Sequence, residues 1–374
     1  MAIRQKTWVH AFAAGTLVAM TAGCGVTVSD RAIAPSPNKP SSTVVSTAVS
    51  DPVAPGVKGR IKIGLVTNAN GSSGDTENRL AVEGLRYAER TLHVEGSYTE
   101  STSSVDYATN LRNYASLGYN VVIAVGYLMD GAVRQVASQF PHTSFVILDD
   151  PLSSRPNVTG VTFRTAESAY LAGAIAGLMQ HETTRKGINK ANVIGVVAGM
   201  SIPPVNSYIA GFKQGAMKTD PTVHIVVRYA NGFLNPAQGE ALANEEIAQG
   251  ADIIMQVAAN TGVGVFRACR SHGVYAIGVG SNQTQISPQN VLTSAVKNWN
   301  SAVFAVIKDA LSNQLKPGVL SLGVADGAVG ITPPAKVVPK LFVQDVEALR
   351  SQIASGKIQV NSSLAASPPK ATQR

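Results

Sequence analysis

The chain has few of the residues that carry redox and metal chemistry. Only 2 of its 374 residues are cysteine, and 14% are charged. If the first cysteine, Cys24, carries lipid, Cys269 has no partner for an internal disulfide. The 6 histidines are scattered, and none lies at the spacing of metal ligands. The composition therefore predicts neither a metal site nor a redox centre, and we expect no cofactor.

Sequence motifs of the common enzyme classes are missing as well. There is no Gly-x-Ser-x-Gly elbow, no phosphate-binding loop and no dinucleotide fingerprint. Gly262-Val263-Gly264 lacks the third glycine of such a fingerprint. We therefore expect a protein that is not an enzyme.

Long apolar runs are also scarce, and the most informative one stands near the N-terminus. The run from Ala11 to Met20 follows the basic residues Arg4 and Lys6 and is too short to span a bilayer as a stable helix. It is followed by Thr-Ala-Gly and then Cys24, the pattern of a bacterial lipoprotein signal. We expect residues 1–23 to be removed and Cys24 to carry lipid. A secreted protein cut nearby and an uncleaved anchor are the alternatives, and each places the remaining chain outside the cytoplasmic membrane.

Both ends of the chain differ in composition from its centre. Residues 24–58 are rich in Ser, Thr, Pro and Val, which predicts a flexible tether. Residues 333–374 form a basic tail, with six Lys or Arg side chains against two acids and a short helix predicted at 341–353. The net charge of +8 therefore comes mostly from the ends, and the body is nearly neutral. No basic stripe runs along one element, so nucleic acid is not an expected partner.

The body, residues 59–332, alternates short apolar runs with helical patterns. Nine runs between Ile61 and Ala295 predict strands, and weaker runs predict two more at Val94–Tyr98 and Val319–Gly323. This alternation is typical of an α/β fold with mainly parallel sheets. It occurs twice, over 61–148 and 191–279, which predicts two lobes. Because ligands bind at the carboxyl ends of parallel strands, we expect a ligand cleft between the lobes.

Ten stretches of the body form an ordered set. They are Asp106–Leu111, Gly118–Val122, Val125–Met129, Asn157–Phe163, Ser168–Gly173, Gly199–Pro203, Ala210–Phe212, Gln249–Asp252, Gly262–Phe266 and Gly273–Val279. Together these stretches resemble the basic membrane lipoprotein family, and the resemblance spans about residues 60–332. It is specific because the stretches occur in order. Members of this family are the substrate-binding proteins of certain ABC importers that capture purine nucleosides.

The resemblance implies a two-lobed, type I periplasmic-binding-protein-like fold that closes on its ligand about a hinge. It implies chain crossings near residues 163, 281 and 315. Lobe 1 would then hold residues 59–163 plus 282–314, and lobe 2 would hold 164–281 plus 315–332. It also implies an ABC permease as the membrane partner, and we expect the receptor itself to be a monomer.

Several ligand residues of the family have counterparts in this chain. The resemblance implies that Phe233 stacks on a ring, that Thr261 and Gly262 form a turn beside the ligand, and that Lys297 hydrogen-bonds to it. Asn78 follows the position at the start of the first helix where the family has an aromatic residue. These positions are candidate ligand-binding residues.

Other family positions are changed. Asn68 stands where the family has an aspartate, and Asp130 lies one place before the position of another aspartate, which is Gly131 here. Asp130 is a candidate ligand-binding residue, with an ion pair to Lys297 as its alternative role. Glu77 replaces an aromatic residue that would stack on the second face of a purine, a contact worth about 1–3 kcal/mol. Tyr127 and Trp299 are possible substitutes for that aromatic face.

Gly280 replaces the aspartate that binds ribose in the family, and Asn282 stands at the next acidic position. A carboxylate bonded to sugar hydroxyls contributes about 1.5–3 kcal/mol per bond. Its loss weakens the case for a ribose, whereas Asn68 can still bond a base edge as donor and acceptor. A nucleoside and another small polar ligand both stay open.

Two further classes share this fold. A transcription regulator would need a DNA-binding helix-turn-helix ahead of the body, where this chain has the signal and tether. A surface sensor that signals through a membrane partner would share every residue with an importer receptor. Permease and ATPase genes beside the receptor gene would favour the importer over the sensor.

Overall fold

The computed structural model describes residues 60–69 and 76–364. The predicted signal, Cys24 and the whole tether therefore lie outside the described residues. Among the helices that are described, none is long and apolar enough to cross a membrane.

The first sheet has six parallel strands in the order β11-β5-β4-β3-β1-β2. Its inner strands are predominantly apolar because helices cover both faces, as is usual for a parallel sheet. The strands are β1 Lys62–Val66, β2 Glu95–Thr99, β3 Val121–Val125, β4 Ser144–Leu148, β5 Val158–Phe163 and β11 Gly318–Leu322. The helices with this sheet are α1 Thr76–Leu92, α2 Tyr107–Ser116, α3 Asp130–Ala137 and α8 Trp299–Leu311.

The second sheet has six strands in the order β12-β10-β9-β8-β6-β7. All neighbours are parallel except β12, which is antiparallel to β10. The strands are β6 Val193–Ala198, β7 His224–Tyr229, β8 Ala251–Val257, β9 Tyr275–Gly280, β10 Val291–Lys297 and β12 Val329–Ile331. The helices are α4 Thr165–Gln180, α5 Pro203–Thr219, α6 Pro236–Ala248, α7 Gly262–His272 and α9 Lys340–Ala354. The two sheets confirm the predicted α/β, two-lobed, type I periplasmic-binding-protein-like class.

The elements begin and end where local chemistry favours it. Pro203 and Pro204 open α5 and Pro236 opens α6, where the missing N–H of proline costs no helix bond. The Asn235 side chain caps α6 by accepting a hydrogen bond from the backbone of Gln238. Gly273 ends α7 in the left-handed conformation at φ 68°. Because α5 follows β6 and α6 follows β7, the connections before these two helices lie at the carboxyl edge of the second sheet.

Two strands lie in the opposite lobe from the one predicted. β10 pairs in parallel with β9, so it belongs to the second sheet, although the prediction places residues 282–314 in lobe 1. β11 pairs with β5 in the first sheet, although the prediction places 315–332 in lobe 2. The chain therefore crosses between the sheets after β5, after β10 and after β11. An apolar strand pattern reports burial but does not say which sheet supplies the partner strand.

The predicted basic tail is also partly wrong. Its residues Lys340–Ala354 form α9, which agrees with the predicted helix, but that helix is part of the second lobe. Val346, Leu349 and Ile353 are buried in the core of that lobe. Their spacing puts them on one helical face. Beyond α9, Asn361 exchanges two hydrogen bonds with the side chain of Gln214 on α5.

Candidate functional site

Three adjoining cavities lie where the strand ends of the two sheets face each other. They have volumes of about 410, 220 and 890 Å³. Lys297, the last residue of β10, lines all three. Residues of both lobes line the first, where Glu77 and Trp299 come from the first lobe and Gly280 from the second. We name the 410 and 220 Å³ cavities together the cleft.

Lys297 forms a partly buried ion pair with Asp149, which follows β4 of the first sheet. Its Nζ lies 2.8 and 2.7 Å from the two carboxylate oxygens. The ammonium also stands 5.4 Å from the ring centre of Phe163 and 5.8 Å from that of Trp299, within the range of cation–π attraction. Burial acts to lower the pKa of Lys297, but Asp149, Tyr208 and Glu77 outweigh it, so the pKa lies above its ordinary value. The lysine is therefore charged, and Asp149 neutralises it.

The alternative role of Asp130, an ion pair with Lys297, is wrong. Asp130 begins α3 and accepts two hydrogen bonds from Arg134, at 2.6 and 2.9 Å. Its side chain is 32% exposed and lines none of the three cavities. A ligand contact by Asp130 stays a prediction, and it would require the side chain to leave Arg134.

Phe233 lies in the cleft, on the connection between β7 and α6. The half-buried ring packs against the backbone of Gly199, where any Cβ would overlap it. Thr261 holds this connection in place: its backbone N–H donates to the Phe233 carbonyl at 3.0 Å, and its hydroxyl accepts from Asn235 N–H at 2.9 Å. Gly262 lies under the Gln256 side chain, which would overlap a Cβ there. Phe233 thus lines the cleft, while Thr261 and Gly262 support its wall.

Asn68 and Asn78 hydrogen-bond to each other where the end of β1 meets the start of α1. The Asn78 amide donates to Asn68 Oδ1 at 2.8 Å, and Asn68 N–H donates to Asn78 Oδ1 at 3.2 Å. Both side chains are buried, 5% and 0% exposed, and neither lines the described cavities. The pair ties the end of β1 to α1. Ligand contact by these two residues stays a prediction.

The changed family positions do face the cleft. Glu77, at the start of α1, lines both of its cavities, and Gly280 at the end of β9 does so as well. Trp299 lines the 410 Å³ cavity but is 1% exposed and packs against Phe163, with ring centres 5.2 Å apart. Tyr127 is 62% exposed and lines none of the three cavities. Of the two possible aromatic substitutes, only Trp299 reaches the cleft.

Sequence reasoning missed Tyr208 and Gln256, which both line the 220 Å³ cavity. Gln256 donates to Gln283 at 2.7 Å and accepts from Ala258 N–H at 3.1 Å, so its amide is held in one orientation. Tyr208 is on the second turn of α5. The two prolines that open this helix, directly after β6, were the sequence signal that could have placed Tyr208 near the cleft. Within residues 60–69 and 76–364, no three His, Cys, Asp or Glu residues are grouped so that they could hold a metal ion.

Comparison with known proteins gives one family. The model of the Bmp family, described as ABC transporter substrate-binding protein PnrA-like, matches residues 65–363. The chain is 29% identical over 322 residues to the CD4+ T-cell-stimulating antigen of Listeria innocua, covering 80% of this chain and 87% of that one. It is 30% identical over 283 residues to the ABC transporter nucleoside-binding protein BmpA of Lactococcus lactis subsp. cremoris, covering 70% and 77%.

A solved structure has the same fold. It is the ABC transporter solute-binding protein of Conexibacter woesei, with a TM-score of 0.65 and 20% identity over 81% of this chain and 99% of that one. The family match extends through α9, in agreement with the packing of that helix on the second lobe.

Proposed function

Because the chain belongs to the Bmp family of ABC transporter substrate-binding proteins, we propose that it is the lipid-anchored receptor of an importer and binds a nucleoside-like ligand. The observation that carries this proposal is the cleft, which joins an aromatic ring, the fixed amide of Gln256 and a charged lysine between two lobes. Closure of the lobes about the three crossings would enclose the ligand. The receptor would act as a monomer and deliver its ligand to an ABC permease.

The lining of the cleft supports a ring-shaped polar ligand. Phe233 offers a ring face for stacking, and Gln256 offers donor and acceptor groups whose orientation is set by Gln283. The relative from Lactococcus lactis is named as nucleoside-binding. A nucleoside has both the aromatic base and the polar groups that this lining would recognise.

The charges around the cleft favour an uncharged ligand over an anionic one. Asp149 neutralises Lys297 at 2.7 Å, and Glu77 adds a carboxylate to the lining. A phosphate or carboxylate on the ligand would be repelled by Glu77 and would have to compete with Asp149 for the ammonium. We therefore propose a nucleoside rather than a nucleotide as the ligand.

Calorimetric titration of the chain without residues 1–24 tests this function. The panel comprises purine and pyrimidine nucleosides, free bases, nucleoside monophosphates, sugars and amino acids. We expect binding of at least one nucleoside and at least tenfold weaker binding of its monophosphate. Binding of sugars or amino acids alone would refute a nucleoside ligand, and binding of nothing by folded protein stripped of carried-over ligand would favour the sensor role.

Phe233→Ala tests the stacking contact. Loss of one base–aromatic face costs about 1–3 kcal/mol, so we expect roughly 5- to 150-fold weaker nucleoside binding. Leu234→Ala is the matched control, because Leu234 is the next residue, is 83% exposed and lines none of the three cavities. Equal affinity in the Phe233 variant and the control would refute the assigned site.

The proposed anchor has its own test. Lipid labelling in cells should mark the wild-type chain, and Cys24→Ala should abolish both the label and membrane retention. Retention of the label in this variant would refute lipidation at Cys24.

A further inference from the structure

Tyr208 occupies the boundary between the cleft and the 890 Å³ cavity. It lines the 220 Å³ cavity with Phe233 and Lys297, and it lines the larger cavity with Lys297 and Asp149. Its residue exposure is 7%, so the hydroxyl has lost almost all contact with bulk solvent. The Tyr208 side chain therefore lies in position to contact the edge of a ligand stacked on Phe233.

The Tyr208 hydroxyl is buried and has no hydrogen-bond partner among the described residues. Neighbouring hydroxyl groups differ in this respect. The Tyr229 hydroxyl donates to Asn206 Oδ1 at 3.0 Å, and the Ser207 hydroxyl bonds to that of Thr165 at 3.2 Å. Because a buried polar group without a partner destabilises the protein, a partner from outside the chain is the simplest reason to keep the hydroxyl.

The surroundings define the chemistry of that partner. Burial raises the pKa of Tyr208 to about 12, so the phenol keeps its proton and can donate it in a hydrogen bond. The nearby ammonium of Lys297 is already held by both oxygens of Asp149, and Glu77 contributes further negative charge. A neutral acceptor therefore suits this position better than a carboxylate or phosphate.

We propose that Tyr208 is a ligand-binding residue whose hydroxyl donates a hydrogen bond to an uncharged oxygen or ring nitrogen of the bound ligand. This inference rests on the proposed function and deepens it. It assigns to α5 a polar contact that complements the ring contact of Phe233. Ligands that fill the cleft but present no acceptor at this point should bind more weakly.

Tyr208→Phe tests the inference because it removes the hydroxyl and keeps the ring. In calorimetric titrations with inosine, guanosine and adenosine, we expect the variant to bind the wild type's ligand roughly threefold to tenfold more weakly, the loss of one neutral hydrogen bond. The melting temperature without ligand should be unchanged or higher, since the variant buries no unpaired hydroxyl.

Tyr229→Phe is the matched control. Its hydroxyl bonds within the protein and its residue lines none of the three cavities, so the control should lower the melting temperature and leave ligand affinity unchanged. If wild type and Tyr208→Phe bind a nucleoside with equal affinity, the inference about Tyr208 is overturned and the proposed function stands. A lower melting temperature of Tyr208→Phe with unchanged affinity has the same meaning, because it indicates a structural role for the hydroxyl. If the wild type binds none of the three nucleosides, the pyrimidine nucleosides are titrated next; a wild type that binds no purine or pyrimidine nucleoside overturns the proposed nucleoside function and this inference with it.

Discussion

Among single residues, a buried ionisable group gives a clear prediction for this protein. Glu246 on α6 is 0% exposed, and its carboxyl group packs against Gly195 of β6, where an added Cβ would overlap it. Burial raises its pKa from 4.5 to about 8, although Arg228 acts in the opposite direction. The folded protein therefore holds a proton on this carboxyl at a pH where the unfolded chain has released it.

This buried carboxyl predicts a pH dependence of stability. Between about pH 4.5 and 8 the folded state binds more protons at Glu246 than the unfolded state does. The free energy of unfolding should therefore fall as the pH rises through this interval and level off above it. Urea unfolding of wild type and Glu246→Gln from pH 5 to 9 measures the effect, and the variant should show a weaker decline.

Glu83→Gln is the control for that series, because Glu83 is 49% exposed and pairs with Arg79 on the surface of α1. Its stability should follow the wild type at every pH. Parallel curves for wild type and Glu246→Gln would contradict the assignment of the pH dependence to Glu246.

At the scale of elements, the most extensive contact between described helices is that of α4 with α5. Glycines allow the two backbones to meet: a Cβ on Gly215 would overlap the Tyr170 carbonyl oxygen, and one on Gly211 would overlap that of Ala166. On α4, Gly173 and Gly177 meet the backbone of α5 in the same way. Small residues at this interface set the distance between the helices, so this packing does not tolerate an added methyl group.

Gly215→Ala should therefore destabilise the protein by about 1–3 kcal/mol, the usual cost of overpacking. Gly131→Ala is the matched control, since Gly131 is also helical but has no atom within 4 Å of the place that an alanine methyl group would take. Alanine should be neutral there or stabilise by up to about 1 kcal/mol through helix propensity. Urea midpoints of both variants measure the difference, and equal stability would contradict the close contact.

At the scale of the whole molecule, the two lobes are joined by three crossings and by the ion pair of Asp149 with Lys297. The pair links the end of β4 in one sheet to the end of β10 in the other. The ion pair lies beside the cleft. Movement of one lobe relative to the other and binding of a ligand would therefore both affect the contact between Lys297 and Asp149.

Lys297→Met should cost about 1–3 kcal/mol of stability because it leaves the Asp149 carboxylate, 28% exposed, without its partner. Asp149→Asn in the same chain should recover part of that loss. A double-mutant cycle of unfolding free energies measures the coupling. Additive effects of the two substitutions would show that the pair contributes no interaction energy between the lobes.

Much of the fold could be predicted because the period of apolar residues along a short stretch indicates whether that stretch forms a strand or a helix. All eleven predicted strands of the body formed, with ends shifted by a few residues at most, and helices formed where the helical patterns lie between them. The short β12 was missed, since Val329–Ile331 is too brief to show a period. Among the candidate site residues, Phe233 and Lys297 line the cleft, and Thr261 and Gly262 support its wall. Asn68 and Asn78 instead tie the end of β1 to α1.

The α/β class, the two-lobed family fold and the position of the cleft at the strand ends could be read from the chain alone, because periodicity and motif order act over short stretches. Tertiary contacts settled that β10 lies in the second sheet and β11 in the first, that Asp149 is the partner of Lys297, and that Tyr208 faces the cleft. Those facts depend on contacts between residues far apart in the chain. Lys297 and Asp149 are 148 positions apart, and no local pattern selects one carboxylate over another at that separation.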